Sequence, residues 1–209
     1  MSNTTVNLRR EEGDRIMNII IKSNSGISLI PLESRLLYER KIFIEGEITS
    51  SSACDFVRAI MTLVKDNAEK PIDIYINSPG GEVNAGLLIY DTLKGIETEV
   101  NLHCIGIAAS MAAIILAGGK KGHRFILPHS RVMIHEPLIS GGVGGSATSI
   151  QKTAESIMET KQLSVKLLAN DTEKSVKEIE RAITYDNYMN ADEAIAFGIC
   201  DSIETNVIH

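Results

Sequence analysis

Three apolar runs of strand length, Lys41 to Glu45, Ile72 to Ile76 and Val100 to Ile107, are each followed by a stretch in which apolar residues recur at helical spacing. Strands joined through helices lie side by side in a mainly parallel sheet, because a crossover returns the chain to the same end of the sheet and its helix covers a face. The chain is therefore read as α/β, built from repeated strand–helix units. After the first strand Gly46 breaks the pattern, and Ser50-Ser51-Ser52 can cap a helix aligning Phe56, Ile60, Leu63 and Val64. After the second, the turn Asn77-Ser-Pro-Gly80-Gly81 leads into a helix burying Val83, Leu87, Tyr90 and Leu93. The third runs into a helix that starts at Ser110 and stops at Gly118-Gly119.

Beyond that point Arg124 to Leu127 and Arg131 to Ile134 read as short strands around the turn Pro128-His-Ser130. Ser140 to Gly145 is dense enough in glycine to be a mobile loop, and a long helical pattern carrying Ile150, Ala154, Ile157, Val165 and Leu168 follows it. Shorter helices are expected over Ser175 to Ile183 and Ala191 to Phe197, the latter capped by Asn190 and ended by Gly198. Residues 1–33 show no sustained period apart from the run Ile16 to Ile21, and are read as an N-terminal arm or a mobile loop. Residues 34–209 are read as one domain. With 209 residues, 44% of them hydrophobic, the chain can bury a substantial core but has little room for a second domain.

Composition narrows the function. A net charge of −6 without clustered Lys and Arg argues against a nucleic-acid surface. Cys54, Cys104 and Cys200 are odd in number, far apart and without a CxxC pair, which suggests a reducing compartment and no disulfide framework or zinc knuckle. The N-terminus lacks the order of a secretory signal and no apolar run reaches spanning length, so a cytoplasmic protein away from membranes is expected. There is no GxxxxGK[ST], no HExxH and no GxSxG, so a nucleotide site, a metal site of that type and an α/β-hydrolase elbow are not indicated.

The chemistry centres on Gly106-Ile-Ala-Ala-Ser110-Met-Ala-Ala113. It places one hydroxyl between an apolar strand and an alanine-rich helix, where small neighbours leave space and unpaired helix N–H groups face outward. Serine is also an ordinary helix cap, and Ser110 could be no more than that. As a nucleophile it needs a base. His209 is terminal, His123 and His129 flank a turn, and His103 reads as a structural residue of the strand, whereas His135 closes an apolar strand ahead of a flexible segment. A buried carboxylate would orient that imidazole. Asp186 lies in a break between helices, Asp171 and Asp192 look like caps, and Glu136 follows His135 so directly that its side chain should point to the opposite face. Gly80 and Gly81 let backbone approach a ligand closely, and the amides of Gly81 and Met111 could form an oxyanion hole.

Five segments in one order, Tyr75 to Gly81, Gly106 to Met111, Arg124 to Pro128, Ser130 to His135 and Ala191 to Gly198, resemble the proteolytic subunit of the Clp protease, over about Ser34 to Glu204. The resemblance implies Ser110 as nucleophile, His135 as general base and Asp186 as orienting acid, with Gly81 and Met111 as oxyanion donors and Gly80 beside them. It implies a crotonase-like fold with a protruding helical handle over about residues 136–170, and peptide-bond hydrolysis through an acyl-enzyme. It further implies self-association into heptameric rings stacked as a tetradecamer, where unfolded proteins delivered by a hexameric ATPase unfoldase are degraded in protein quality control. ATP would be used by that partner, with no cofactor in this chain.

The departures from the family pattern carry their own expectations. Asp-Arg commonly precedes the catalytic acid and forms an ion pair between rings; here Thr184 and Tyr185 stand in those positions. Ring stacking is therefore expected to differ, through a paralogous subunit or an inactive resting form. Ile107 and Glu136 each replace a customary glutamine, and the handle loop is longer and richer in glycine. An alternative on the same fold is a crotonase-type acyl-CoA enzyme, whose paired amides hold an enolate oxygen and which has no need of Ser110. Another is a poorly active ring subunit.

Overall fold

The computed structural model describes residues 4–9, 17–23, 26–139 and 142–206, which fall into two compact units, Met1–Ile42 and Phe43–His209. Ile16 and part of the N-terminal arm, with Ser140, Gly141 and His209, all of which figured in the readings above, lie outside the described residues.

In the first unit β1 (Thr4–Arg9), β2 (Asn18–Ser23) and β3 (Gly26–Pro31) make an antiparallel sheet in that order, followed by α1 (Leu32–Tyr38). The β2–β3 ladder runs from Asn18 opposite Pro31 to Ser23 opposite Gly26. Asn18 to Ile21 of that run thus belong to a paired strand, a role its short length did not disclose.

The second unit takes up most of β4 (Lys41–Ile48), then α2 (Ser50–Asp66), β5 (Ile72–Gly81), α3 (Val83–Gly95), β6 (Val100–Ala109), α4 (Met111–Ala117), β7 (Arg124–Ile126) and β8 (Arg131–Ile134). The 26-residue α5 (Ala147–Thr172), α6 (Val176–Ala182), β9 (Asn187–Met189), α7 (Ala191–Phe197) and β10 (Ser202–Ile203) complete it. The seven-stranded sheet has the order β10-β7-β6-β5-β4, with β8 beside β6 and β9 beside β8. The β5–β6, β6–β7, β6–β8 and β7–β10 pairs are parallel and β8–β9 is antiparallel. This is the mixed α/β architecture with a mostly parallel sheet that the strand–helix alternation predicts.

Local chemistry explains the differences. Gly46 does not end β4: its φ of 66° is a conformation glycine adopts without a Cβ clash, so the strand carries on to Ile48. Thr49, not the serine run, caps α2, with Ser52 returning the bond to the Thr49 N–H in a capping box. The buried face of α3 is Ala85, Gly86, Ile89 and Tyr90, rotated from the predicted stripe. The cause is the approach of α4, since a Cβ on Gly86 would stand 2.6 Å from Met111 Cε. All seven residues of α4 are buried, as expected of a short helix that is apolar all round.

On β5 and β6 the residues Ile72, Ile74, Ile76, Leu102 and Cys104 are buried, while intervening positions carry a row of rings. Phe43, Tyr75, His103 and Phe125 stack across four strands at centroid separations of 5.0, 4.9 and 5.2 Å. His103 is 3% exposed, its Nδ1 is 2.7 Å from Glu204 Oε2, and Asp73 Oδ1 stands 3.6 Å from Nε2, too far for a hydrogen bond but near enough for charge attraction. Burial alone would push this imidazole down, yet the two carboxylates outweigh it and raise its pKa above the ordinary value.

A raised folded pKa means that this contribution to stability is complete below the unfolded value of about 6.5 and is lost as pH rises through the folded pKa. Glu204→Gln removes the nearer charge and lowers the folded pKa. The fall in urea midpoint between about pH 6 and about pH 9 is expected to be shallower in that variant than in the wild type; equal falls would sink this account.

Candidate active site

Ser110 occupies the junction between β6 and α4 with φ 55° and ψ −123°, a conformation that side-chain-bearing residues rarely adopt and that costs about 1–3 kcal/mol. Its N–H donates to Met133 O at 2.8 Å, extending the β6–β8 ladder in which Ala109 pairs with Met133. Its carbonyl accepts from the Ala113 and Ile114 N–H groups and so begins α4. The side chain makes no capping bond. Instead Oγ lies 2.9 Å from His135 Nε2, which rules out the reading of Ser110 as a mere cap.

His135 follows directly on β8 and its side chain is 14% exposed. Because Ile134 pairs with Asn187 in the antiparallel β8–β9 ladder, the next step of the register sets His135 beside Asp186. Nδ1 and Asp186 Oδ1 are 3.3 Å apart. With the proton on Nδ1 facing this carboxylate, Nε2 is the acceptor for the Ser110 hydroxyl. Asp186 is not the buried acid expected from the sequence: its side chain is 59% exposed, in a segment whose neighbour Tyr185 is 84% exposed.

The competing acids are engaged elsewhere. Glu136 turns to the Lys161 ammonium on α5, while its N–H donates to Ile183 O at 2.9 Å. Asp171 is no cap; it is a buried acceptor for the Tyr90 hydroxyl and the Lys94 ammonium, both at 2.9 Å. Asp192 sits in the first turn of α7, which Asn190 caps. Of the other described histidines, His103 stands in the ring stack, His123 Nδ1 contacts Asn101 Oδ1 at 2.8 Å and His129 is an exposed turn residue.

The glycine turn presses against the serine. A Cβ on Gly80 would fall 2.7 Å from both Ser110 Cβ and Ala109 O, and one on Gly81 would enter the backbone of Ile48. Gly80 and Gly81 have φ of 91° and 156°. The Gly80 N–H is committed to Ser78 Oγ at 3.1 Å, and the same hydroxyl donates to Gly46 O at 2.6 Å. Met111, as first residue of α4, has no partner for its N–H within the helix. Of the three backbone positions singled out in the sequence, Gly80 therefore supplies space and Met111 an N–H unused by its helix, while Gly81 ends β5. Ser78, fully buried, is the supporting residue that motif reading passed over. Its place two residues before a glycine, where serine hydroxyls commonly bond the backbone, was the available signal.

Among the described residues no group of three or more His, Cys, Asp or Glu could hold a metal ion, and no helix is long and apolar enough to cross a membrane. The fold and this geometry define an α/β protein with a hydroxyl, an imidazole and a carboxylate in sequence beside a glycine turn. Residues 24–207 match the family model described as Clp protease, and the chain belongs to that family. Membership supports a peptidase role, and extends the likeness ten residues upstream of the Ser34 limit set by the sequence motifs.

Gly80→Ala is expected to lower unfolding stability by about 1–3 kcal/mol in urea melts, because a strained φ and two close contacts arise together. Gly95→Ala, which meets open space at the end of α3, is the comparison and should lose nothing. Equal losses would contradict the packing described.

Proposed function

We propose that this chain is a serine endopeptidase subunit of the Clp type, and the observation that carries the proposal is the 2.9 Å approach of Ser110 Oγ to His135 Nε2 in place of a capping bond. In this reading His135 takes the hydroxyl proton as Oγ attacks the peptide carbonyl, and Asp186 stabilises the resulting imidazolium. The amides of Gly81 and Met111 receive the oxyanion, with the positive end of α4 behind the second. Collapse of the tetrahedral intermediate expels the amine, which takes the proton from His135. Water then repeats the sequence on the acyl-serine and frees the acid. A crotonase-type acyl-CoA reaction would leave the hydroxyl–imidazole contact without a purpose.

The family also supports assembly into rings that enclose the sites, with unfolded chains supplied by a hexameric ATPase unfoldase that uses ATP. We read α5 with the segment before it as the handle between two heptameric rings, and the compartment as cytoplasmic. Thr184 and Tyr185 are both exposed and carry no charge, so the ion pair that joins rings in the family is not available here. A paralogous subunit supplying the complementary surface would account for that difference.

A fluorophosphonate probe should label Ser110, and Ser110→Ala should lose labelling together with at least about a thousandfold in peptide turnover. Native mass measurement, with and without a candidate paralogue, reads the assembly. Undiminished turnover in Ser110→Ala would overturn the serine assignment, and a stable, fully active double ring of this chain alone would overturn the requirement for a partner.

A further inference from the structure

The two segments that bracket the candidate site continue into a groove of about 410 Å³. Val83 lies two residues beyond Gly81, Pro137, Leu138 and Ile139 follow His135, and Ile157 and Lys152 of α5 form the far wall. Val83 and Pro137, each two residues along the chain from Gly81 and His135, make this groove the candidate path for residues that flank a carbonyl presented at Ser110. Among the described residues the lining is apolar apart from three hydroxyl side chains, and its one charge is Lys152.

The acids nearest to it along the chain direct their carboxylates to other partners. Glu82, between Gly81 and Val83, is held by the Ser50 N–H and hydroxyl at 3.1 and 2.8 Å. Glu136 is paired with Lys161, and Glu155 accepts from Gln151 Nε2 at 2.8 Å. Among the described residues Lys152 is left with no ion pair, exposed at the groove wall. An apolar trough with one ammonium outside any ion pair is complementary to an extended peptide carrying apolar side chains and one carboxylate.

We infer that Lys152 makes this site selective for substrate segments bearing Asp or Glu a few residues from the scissile bond. The inference rests on the peptidase reading above and adds a substrate class to it. A solvent-accessible pair of this kind favours the acidic peptide by about fivefold at low salt and by less as ionic strength rises.

The test uses assembled protein and matched peptides with Glu, Gln or Lys at successive positions on each side of the cleaved bond, read as kcat/KM by mass spectrometry. At one or two positions the wild type should prefer Glu over Lys about fivefold, Lys152→Met should erase the ratio and Lys152→Glu should reverse it. The Ser110→Ala protein, which should bind without turnover, provides the same comparison by fluorescence anisotropy, so the answer does not depend on a high basal rate. Ratios unchanged by Lys152→Glu in both measurements would overturn the inference while leaving the serine reading intact. Full turnover in Ser110→Ala would overturn the serine reading whatever Lys152 does.

Discussion

Strand β6 divides one of its edges between two partners, and the candidate site depends on that division. Its first half pairs with β7 through Leu102 to Cys104, its second with β8 through Ile107 to Ala109. The second ladder delivers His135 to Ser110, because the bond from Ser110 N–H to Met133 O fixes how far β8 extends along β6. Side chains alternate along a strand, so a slip of one residue would turn His135 to the other face and leave the hydroxyl without its imidazole. The antiparallel β8–β9 ladder then brings in Asp186 by the same register logic. Two ladders thus converge three groups that lie 25 and 51 residues apart in numbering, counting from Ser110 to His135 and from His135 to Asp186.

Holding Ser110 at positive φ requires rigid surroundings. The strained residue is followed by a helix with no exposed side, and the end of that helix is tied down by a buried guanidinium. Arg124 donates to the carbonyls of Ala117, Gly198 and Asp171, and pairs with Asp201, whose carboxyl its charge holds below the ordinary range despite burial. One side chain therefore joins the last turns of α4 and α5 to the end of α7. Removing either member would leave the other charge buried and unpaired, which is costly.

Much of this was legible in the sequence, and the exceptions have physical reasons. Apolar periods of two and of 3.6 residues are local properties, so β4 to β6 with their helices could be read directly, as could α7 between Asn190 and Gly198. The junction at Ser110 was visible because strand, small residues and helix adjoin in the chain. Asp186 was not separable from other acids by composition, since its place is set by a ladder to β8 and only the family likeness singled it out. The link between Glu136 and Lys161 spans 25 residues and two elements, and no spacing rule announces it. The rotated face of α3 depended on the bulk of Met111 across an interhelical contact, which periodicity within α3 cannot contain.

Ser78 has one further consequence. Its hydroxyl bridges the amide of Gly80 to the carbonyl of Gly46, a residue in the outermost strand of the main sheet. One side-chain oxygen thereby adds a tie between the rim of the sheet and the glycine packed against the reactive serine, beside the backbone bonds of the β4–β5 pair. Anything that grips or bends the border strand, whether a neighbouring molecule or an altered residue at Gly46, pulls on a rivet whose other end lies under the seryl side chain.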